Sequence, residues 1–261
     1  MNIRNFYWLI IVVLSGALLF EWTSEKKLES IESHMMLAES MNQVGLGEDH
    51  VAVENEALFI VVSIESGSII EARLKKHPVE KVVGSLGFRV FGSDSVFNYY
   101  FKSGFTGSSP SYELLDVGKG YVVLVDKTSG ITKTISLSDT DYEISVLDSV
   151  DGGVQGKSYA GLYRTSGRPL DLKQDALSGG MMNNGSFLGI AISTDSEPYE
   201  TIKLNQVDKE GGVEALSRSG WIAFVQKYFF AALLGSDENI YNFYALPGEG
   251  GLYRMGYTVE N

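Results

Sequence analysis

Histidine is the first residue type to examine for acid–base chemistry, because its side chain changes charge between about pH 5 and 8. The chain has three histidines. His34 and His50 lie in a polar segment that we predict to be a linker, and His77, in LKKHP beside a turn, is left without a partner. General acid–base catalysis needs an acid and a base placed on the same substrate. The histidines therefore predict no catalytic site.

Other residue types offer no stronger site. The chain has no cysteine, which excludes disulfides, thiolate metal sites and cysteine nucleophiles. The Gly-x-Gly pairs that begin at Gly45 and Gly118 lack a phosphate-binding lysine and a following helix, so they predict turns. The acidic run at residues 148–153 lacks the ligand spacing of a calcium loop, which favours a solvated turn over a calcium site. We therefore predict neither a cofactor nor a metal.

The charge of the chain limits its partners. It carries 33 acidic and 21 basic residues, for a net charge of -12. This sign repels phosphate groups, so we predict no nucleic-acid partner. The 261 residues are 44% hydrophobic, which is enough to build one sizeable core or two small ones.

The N-terminus predicts a membrane anchor. Fifteen positions without a charge, FYWLIIVVLSGALLF, follow Arg4. Inserting the ten Leu, Ile, Val and Phe residues among them into a bilayer gains about 3 to 6 kcal/mol, which favours a span over residues 6–22. The positive charge of Arg4 and the amino terminus favours a cytoplasmic tip. A cleaved signal peptide is the alternative, but LLFEWTSEK lacks the small residues of a cleavage site. The rest of the chain is then expected outside the inner membrane.

The remaining residues divide into a linker and a β domain. Residues 23–50 are polar, with helical spacing over a few positions, and predict a linker with a short helix. From residue 51 to 261 short runs rich in Val, Ile, Tyr and Phe alternate with turn residues, which predicts one all-β sandwich or barrel domain. Tyr99, Tyr100 and Phe101 fit either a peptide cleft or a half-buried strand. The predicted strands are ALFIVVSIES, SIIEARL, LGFRVFG, YYFKSGF, GYVVLVDK, ITKTISL, YEISVLDSV, GSFLGIAIS and NFYALP.

The run SGWIAFVQKYFFAALLG, residues 219–235, is as apolar as a membrane span. A lysine at a bilayer centre costs about 2.5 to 3.5 kcal/mol, so Lys227 argues against a span. The spacing of the aromatic residues also fits a helix, yet the surrounding segments are β. We predict a strand, a polar break at Gln226 and Lys227, and a second buried strand, YFFAALL.

Four segments together resemble the large periplasmic domain of the YidC membrane protein insertases of Gram-negative bacteria. The first is GSIIEARLKKHP, which fits a Gly-x-hydrophobic-x-x-Ala-x-Leu pattern. SGFTG, ITKTISLSDTDYEISV and SGWIAFVQKYFFAALL follow in the family's order. The chain departs from the family at Phe105, where a leucine is usual, and at Ser219, where a glycine is usual. The signature residues that carry the resemblance are Gly67, Ala72, Leu74, Pro78, Ser103, Gly104, Thr106, Gly107, Gly220, Trp221, Gln226, Tyr228, Phe229 and Ala232.

The resemblance implies a fold and a place in the cell. It implies a β-supersandwich related to galactose mutarotase folds, held in the periplasm by the first transmembrane helix. In the family, this domain continues past the equivalent of Gly256 and Tyr257 into further strands, a helix and a five-helix membrane core with an arginine-bearing groove. This chain stops at Asn261. The resemblance thus implies a domain incomplete at its C-terminal end, which could not insert a protein unaided.

The resemblance also implies partners. These are subunits of the Sec translocon and nascent membrane proteins, which the domain assists without being an enzyme. Two alternatives stay open: a signal-anchored periplasmic module that binds or epimerises carbohydrate, and an accessory domain kept for spacing.

Overall fold

The computed structural model describes residues 49–78, 87–95, 97–153, 156–166, 188–226, 229–236 and 238–260. These ranges hold strands β1 to β17, one short helix, α1 (Leu204–Glu210), and a 3-10 turn at Glu249–Gly251. The strands are β1 (His50–Glu54), β2 (Leu58–Ser63), β3 (Ile69–Pro78), β4 (Gly87–Ser93), β5 (Asn98–Phe105), β6 (Glu113–Gly118), β7 (Tyr121–Asp126), β8 (Ile131–Leu137), β9 (Ile144–Val150), β10 (Ser158–Thr165), β11 (Leu188–Ser193), β12 (Glu200–Lys203), β13 (Val213–Ser217), β14 (Gly220–Gln226), β15 (Phe229–Gly235), β16 (Ile240–Pro247) and β17 (Leu252–Glu260).

The strands form three sheets, and every pairing between them is antiparallel. The large sheet has nine strands in the order β1-β2-β3-β4-β5-β10-β17-β16-β13. The first small sheet has the order β6-β7-β8-β9, and the second has the order β12-β11-β14-β15. Short turns make these pairings possible, as between β6 and β7, where two residues suffice.

Both small sheets pack on the same face of the large sheet. Alternate residues of a strand point to the same side, so Tyr99 and Ser103 of β5 share a face. The Tyr99 ring meets the Phe224 ring of the second small sheet, with centroids 5.8 Å apart. Ser103 is hydrogen-bonded to Lys133 of the first small sheet. The described residues therefore form one sandwich with a continuous apolar core.

The prediction of an all-β sandwich is confirmed. The run at residues 219–235 also forms two strands, β14 and β15, as predicted, with Gln226 at the end of the first. The prediction that the second strand is buried is wrong, because β15 lies at a sheet edge and exposes Phe230 and Leu234. His50, which we predicted in the linker, is the first residue of β1.

The predicted anchor at residues 6–22 and the linker as far as residue 48 lie outside the described residues. Within the described part of the chain, no helix is long and apolar enough to cross a membrane. The anchor and the linker before residue 49 thus stay predictions.

Candidate functional site

The signature residues of the first two motifs lie around the large sheet. Gly67 occupies the turn between β2 and β3, where its φ of 63° is in the left-handed region that favours glycine. Ser103 is buried in β5. The other signature residues of these two motifs lie in strands or directly after one. They are Ala72, Leu74 and Pro78 in β3, Gly104 in β5, and Thr106 and Gly107 after β5.

The signature residues of the last motif belong to the second small sheet. Gly220, Trp221 and Gln226 are in β14, and Phe229 and Ala232 are in β15. Tyr228 lies outside the described residues. The signature residues that the structure describes are thus spread over the sandwich and do not gather into one pocket.

A buried polar cluster joins the first small sheet to the large sheet. Lys133 Nζ lies 2.7 Å from Asp148 Oδ1, and both residues come from the first small sheet. The same Nζ donates to Ser103 Oγ at 2.6 Å and to the Ser103 carbonyl oxygen at 3.1 Å. Ser103 Oγ in turn donates to Asp148 Oδ2 at 2.6 Å. Three side chains thus form a closed ring of polar contacts, which we call the Lys133 cluster.

Gly67 leaves the space that the Lys133 side chain fills. A Cβ atom added at Gly67 would lie 2.7 Å from Lys133 Cε and 2.9 Å from a Tyr112 ring carbon. The Tyr112 ring centroid is 5.9 Å from Lys133 Nζ, close enough for a cation–π contact. Two signature residues, Gly67 and Ser103, therefore meet at one lysine.

The electrostatics of the Lys133 cluster follow from its burial. Burial lowers the pKa of Lys133, and the Asp148 carboxylate acts against this effect. Burial, followed by the charge of Asp148, raises the pKa of Tyr112. A buried ion needs a partner of opposite charge and further hydrogen bonds, and the ring supplies both.

The Lys133 cluster contains a serine and a lysine, the residue types of a Ser–Lys nucleophile. Two features argue against that chemistry. The Ser103 hydroxyl donates to Asp148 and accepts from Lys133, so the amine acts as a donor and not as a base. Lys133 is 0% exposed, so a substrate has no access to it. The contacts support a structural role.

A second polar contact joins the second small sheet to the large sheet. Arg164 of β10 is buried, and its Nη2 donates to Gln226 Oε1 of β14 at 2.7 Å. The guanidinium carbon lies 5.3 Å from the ring centroids of both Phe97 and Tyr99. This arrangement explains why a polar signature residue, Gln226, closes an apolar strand.

A shallow cleft lies beside this contact. Arg164 and Gln226 line its polar end, and the rings of Tyr99, Phe224 and Phe229 line the rest. The cleft has no room for even one water-sized sphere, so it is a gap between packed side chains and not an enclosed ligand site.

The structure corrects the prediction for residues 148–153. We predicted that this acidic run is a solvated turn, but Asp148 lies in β9 and faces the core, where it pairs with Lys133. The turn is confined to residues after Val150. Within the described ranges, no three potential ligand side chains converge as a metal site would require.

The remaining predicted positions are surface or core residues. His77 is exposed at the end of β3, with its ring near those of Tyr142 and Phe229. Tyr99 and Phe101 are buried and Tyr100 stacks on Tyr163, which fits the half-buried strand and not an aromatic cleft.

Sequence reasoning missed Lys133, Asp148 and Arg164. A signal was present for Lys133, because in ITKTISL it shares a strand face with two isoleucines. The same alternation places Arg164 on the face of Leu162 in β10, a strand that we did not predict. A charged residue on an apolar strand face indicates a buried ion that needs a partner.

Comparison with known proteins identifies the family. The family model for the YidC periplasmic domain matches residues 50–261. The chain belongs to this family. The match begins at the first residue of β1 and includes all the strands described above.

Curated relatives of this chain carry the name membrane protein insertase YidC. One from Pseudomonas putida (strain GB-1) is 27% identical over 240 residues, covering 82% of this chain and 41% of its own length. One from Cellvibrio japonicus is 26% identical, covering 80% of this chain and 41% of the relative. The chain therefore spans about two fifths of the length of the relatives it matches.

Among solved structures, this YidC periplasmic domain is similar to a galactose mutarotase related enzyme from Lactobacillus acidophilus. The two share 9% identity with a TM-score of 0.37, over 80% of this chain and 85% of that one.

Proposed function

We propose that this chain is the membrane-anchored periplasmic part of an insertase, which assists the insertion and folding of inner-membrane proteins. In this proposal residues 6–22 lie in the inner membrane and the β sandwich lies in the periplasm. The sandwich contacts Sec translocon subunits or nascent membrane proteins. The observation that carries the proposal is the family match over residues 50–261, together with relatives named as insertases.

The site geometry supports a role in binding more than one in chemistry. The Lys133 cluster and Arg164 are buried in the core. Their hydrogen bonds join the small sheets to the large sheet. The surface, in contrast, exposes large apolar side chains. A contiguous exposed apolar patch marks a protein contact site, and Phe230 and Leu234 lie on one face of β15. Those most exposed in the described part of the chain are Leu115, Leu147, Tyr199, Leu216, Phe230 and Leu234.

Crosslinking in native membranes tests this proposal. The full chain carries an affinity tag, the membranes are treated with a crosslinker, and the purified adducts are identified by mass spectrometry. We expect translocon subunits or nascent membrane proteins among the adducts. A matched control keeps residues 1–49 and replaces residues 50–261 by an unrelated periplasmic domain. Equal recovery of these partners with the control would show that the β sandwich makes no specific contact.

A further inference from the structure

The face of the large sheet that points away from the two small sheets carries two basic residues, Lys102 of β5 and Arg254 of β17. They lie on the opposite side of their strands from the buried neighbours Ser103 and Met255. Within the described part of the chain, neither basic side chain makes an ion pair or a hydrogen bond. The chain has 33 acidic residues against 21 basic ones. Two unpaired cations on one face of so acidic a chain indicate a site for an anion.

Two glycines lie between these cations. Gly161 of β10 is directly opposite Lys102 of β5, and on its other side it is directly opposite Gly256 of β17. Arg254 is two residues before Gly256, so it shares this face of the sheet. The two glycines contribute no side chain to the face. Side chains from the neighbouring strands can therefore lean over them.

Two tyrosines fill this space. Tyr244 of β16 is directly opposite Gly256, and its hydroxyl reaches back across β17 to within 3.2 Å of a Cβ atom added at Gly161. A ring carbon of Tyr163 lies at the same distance from that point. Burial raises the pKa of both phenols, and the Arg254 guanidinium acts against this rise. The charge of Arg254 is thus close to two phenols that keep their protons at neutral pH and can donate them.

The strands around the glycines, β5, β10, β13, β16 and β17, hold two acidic residues in their described positions. Each of the two already has a contact. Glu214 accepts a hydrogen bond from Asn242 at 3.4 Å, and Glu260 pairs with Lys157. These carboxylates therefore leave the two cations beside the glycines without a counter-charge.

We propose that this face binds one phosphate group above Gly161. The four donor side chains are those of Lys102, Tyr163, Arg254 and Tyr244, which come from four different strands. Phosphate suits this set because its oxygens accept from several directions, and a guanidinium can donate to two of them at once. A carboxylate offers two oxygens, too few for four donors.

The phosphate can belong to a soluble compound or to a lipid headgroup, since the recognition chemistry is the same. The site is independent of the contacts proposed with translocon subunits or nascent membrane proteins. Both cations lie at the surface of the sheet, so salt screens their attraction for an anion. We therefore expect reversible binding that weakens as the ionic strength rises.

Phosphorus NMR tests the site with two probes, inorganic phosphate and dimethyl phosphate. The full chain is purified at low ionic strength in a detergent without phosphorus, and the line width of each probe is measured as protein is added. We expect binding to broaden the line. Broadening of inorganic phosphate alone would assign the site to a soluble phosphate compound. Stronger broadening of dimethyl phosphate, a diester like a phospholipid, would assign it to a lipid headgroup.

Arg254→Gln and Lys102→Gln should each reduce the broadening several-fold, and Tyr244→Phe, which removes only a hydroxyl, should reduce it less. The matched controls are Arg218→Gln and Lys119→Gln, which remove the same charges from exposed positions elsewhere and should leave the broadening unchanged. Thermal unfolding confirms that each variant is folded. If neither probe broadens with the parent chain, the proposal is wrong. Equal broadening by the parent chain and by Arg254→Gln would also overturn it.

Discussion

At the residue scale, the signature residues of this YidC periplasmic domain support two polar contacts inside an apolar core. Gly67 and Ser103 accommodate Lys133, and Gln226 accepts from Arg164. Each contact joins one small sheet to the large sheet. Polar pairs in a core do not add much stability compared with apolar residues, but removal of one partner is costly. We infer that they fix how the sheets are aligned.

Replacing Lys133 by Met should destabilise the chain strongly. The Asp148 carboxylate would stay buried without its cation, which costs about 3 to 5 kcal/mol in the free energy of unfolding. Urea unfolding followed by circular dichroism measures the loss. The matched control is Lys127→Met, which breaks an ion pair with Glu113 whose two side chains are 70% and 64% exposed. That change should cost at most about 1 kcal/mol. Equal losses in the two variants would contradict a buried, paired Lys133.

Replacing Gly67 by Ala tests the space left for Lys133. The left-handed backbone costs a non-glycine residue about 1 to 2 kcal/mol. Gly107→Ala should show this cost alone, because φ there is 80° and nothing lies within 4 Å of an added Cβ. Gly67→Ala adds a collision with the lysine side chain, and overpacking costs about 1 to 3 kcal/mol more. Thermal unfolding of both variants measures the difference. Equal losses would mean that the side chain moves aside freely.

At the scale of elements, the β14–β15 hairpin combines a buried strand with an exposed one. Its sequence predicted both strands and the polar break between them. It did not predict that β15 is an edge strand. An apolar run such as YFFAALL predicts a buried strand as long as the strands that pair with it are unknown. Whether an apolar strand is central or peripheral depends on sheet order, which arises from contacts distant in sequence.

Replacing Gln226 by Leu should weaken the link between the second small sheet and the large sheet. The change removes the acceptor of a hydrogen bond from a buried guanidinium, which costs about 1.5 to 3 kcal/mol. Gln226→Glu keeps an acceptor oxygen facing Arg164 and should stay within about 1 kcal/mol of the parent chain. Urea unfolding of both variants gives the comparison. If both lose the same free energy, the hydrogen bond to Arg164 has no part in stability.

Other elements escaped prediction for physical reasons. Strand β6 (ELLDVG) and strand β12 (ETIK) are edge strands with polar positions and no clear alternation. Strand β10 contains a buried arginine and a central glycine, which weaken its strand pattern. Helix α1 lacks a side-chain cap and owes its place to Leu204 and Val207, which reach the core. In each case, tertiary contacts supply what local sequence lacks.

At the scale of the whole molecule, the composition and short strand runs were enough to predict one all-β sandwich. The pairing of nine strands in the large sheet was not predictable, because β10 lies between β5 and β17 in an order that no local pattern encodes. The Lys133 cluster likewise depends on three separate strands. The resemblance to the family identified the signature residues Gly67 and Ser103. It did not identify Lys133, which both of them contact, or Asp148, which pairs with Lys133.

Alkaline pH should destabilise the whole domain. Burial raises the pKa of Tyr159 and Tyr257 to about 12 and that of Tyr99 further. Unfolded tyrosine ionises near pH 10, so the unfolded state loses protons first. The stability these residues contribute is complete below about pH 10 and is lost as the pH rises towards 12. Urea midpoints at about pH 8, 10 and 11 should therefore fall, with tyrosinate absorbance rising on unfolding. A constant midpoint to about pH 11 would be inconsistent with buried phenols.

The central claim is that the β sandwich contacts the machinery or the clients of membrane-protein insertion. Photocrosslinking during synthesis tests it most directly. A photoreactive amino acid replaces Leu115 of β6, Leu147 of β9 or Leu216 of β13, each of which is exposed. A model membrane protein is then stalled during insertion in membranes that contain the full chain. We predict adducts with the nascent chain or a translocon subunit from at least one position. Adducts with neither, while the same probe in the translocon itself still captures the nascent chain, would contradict the account.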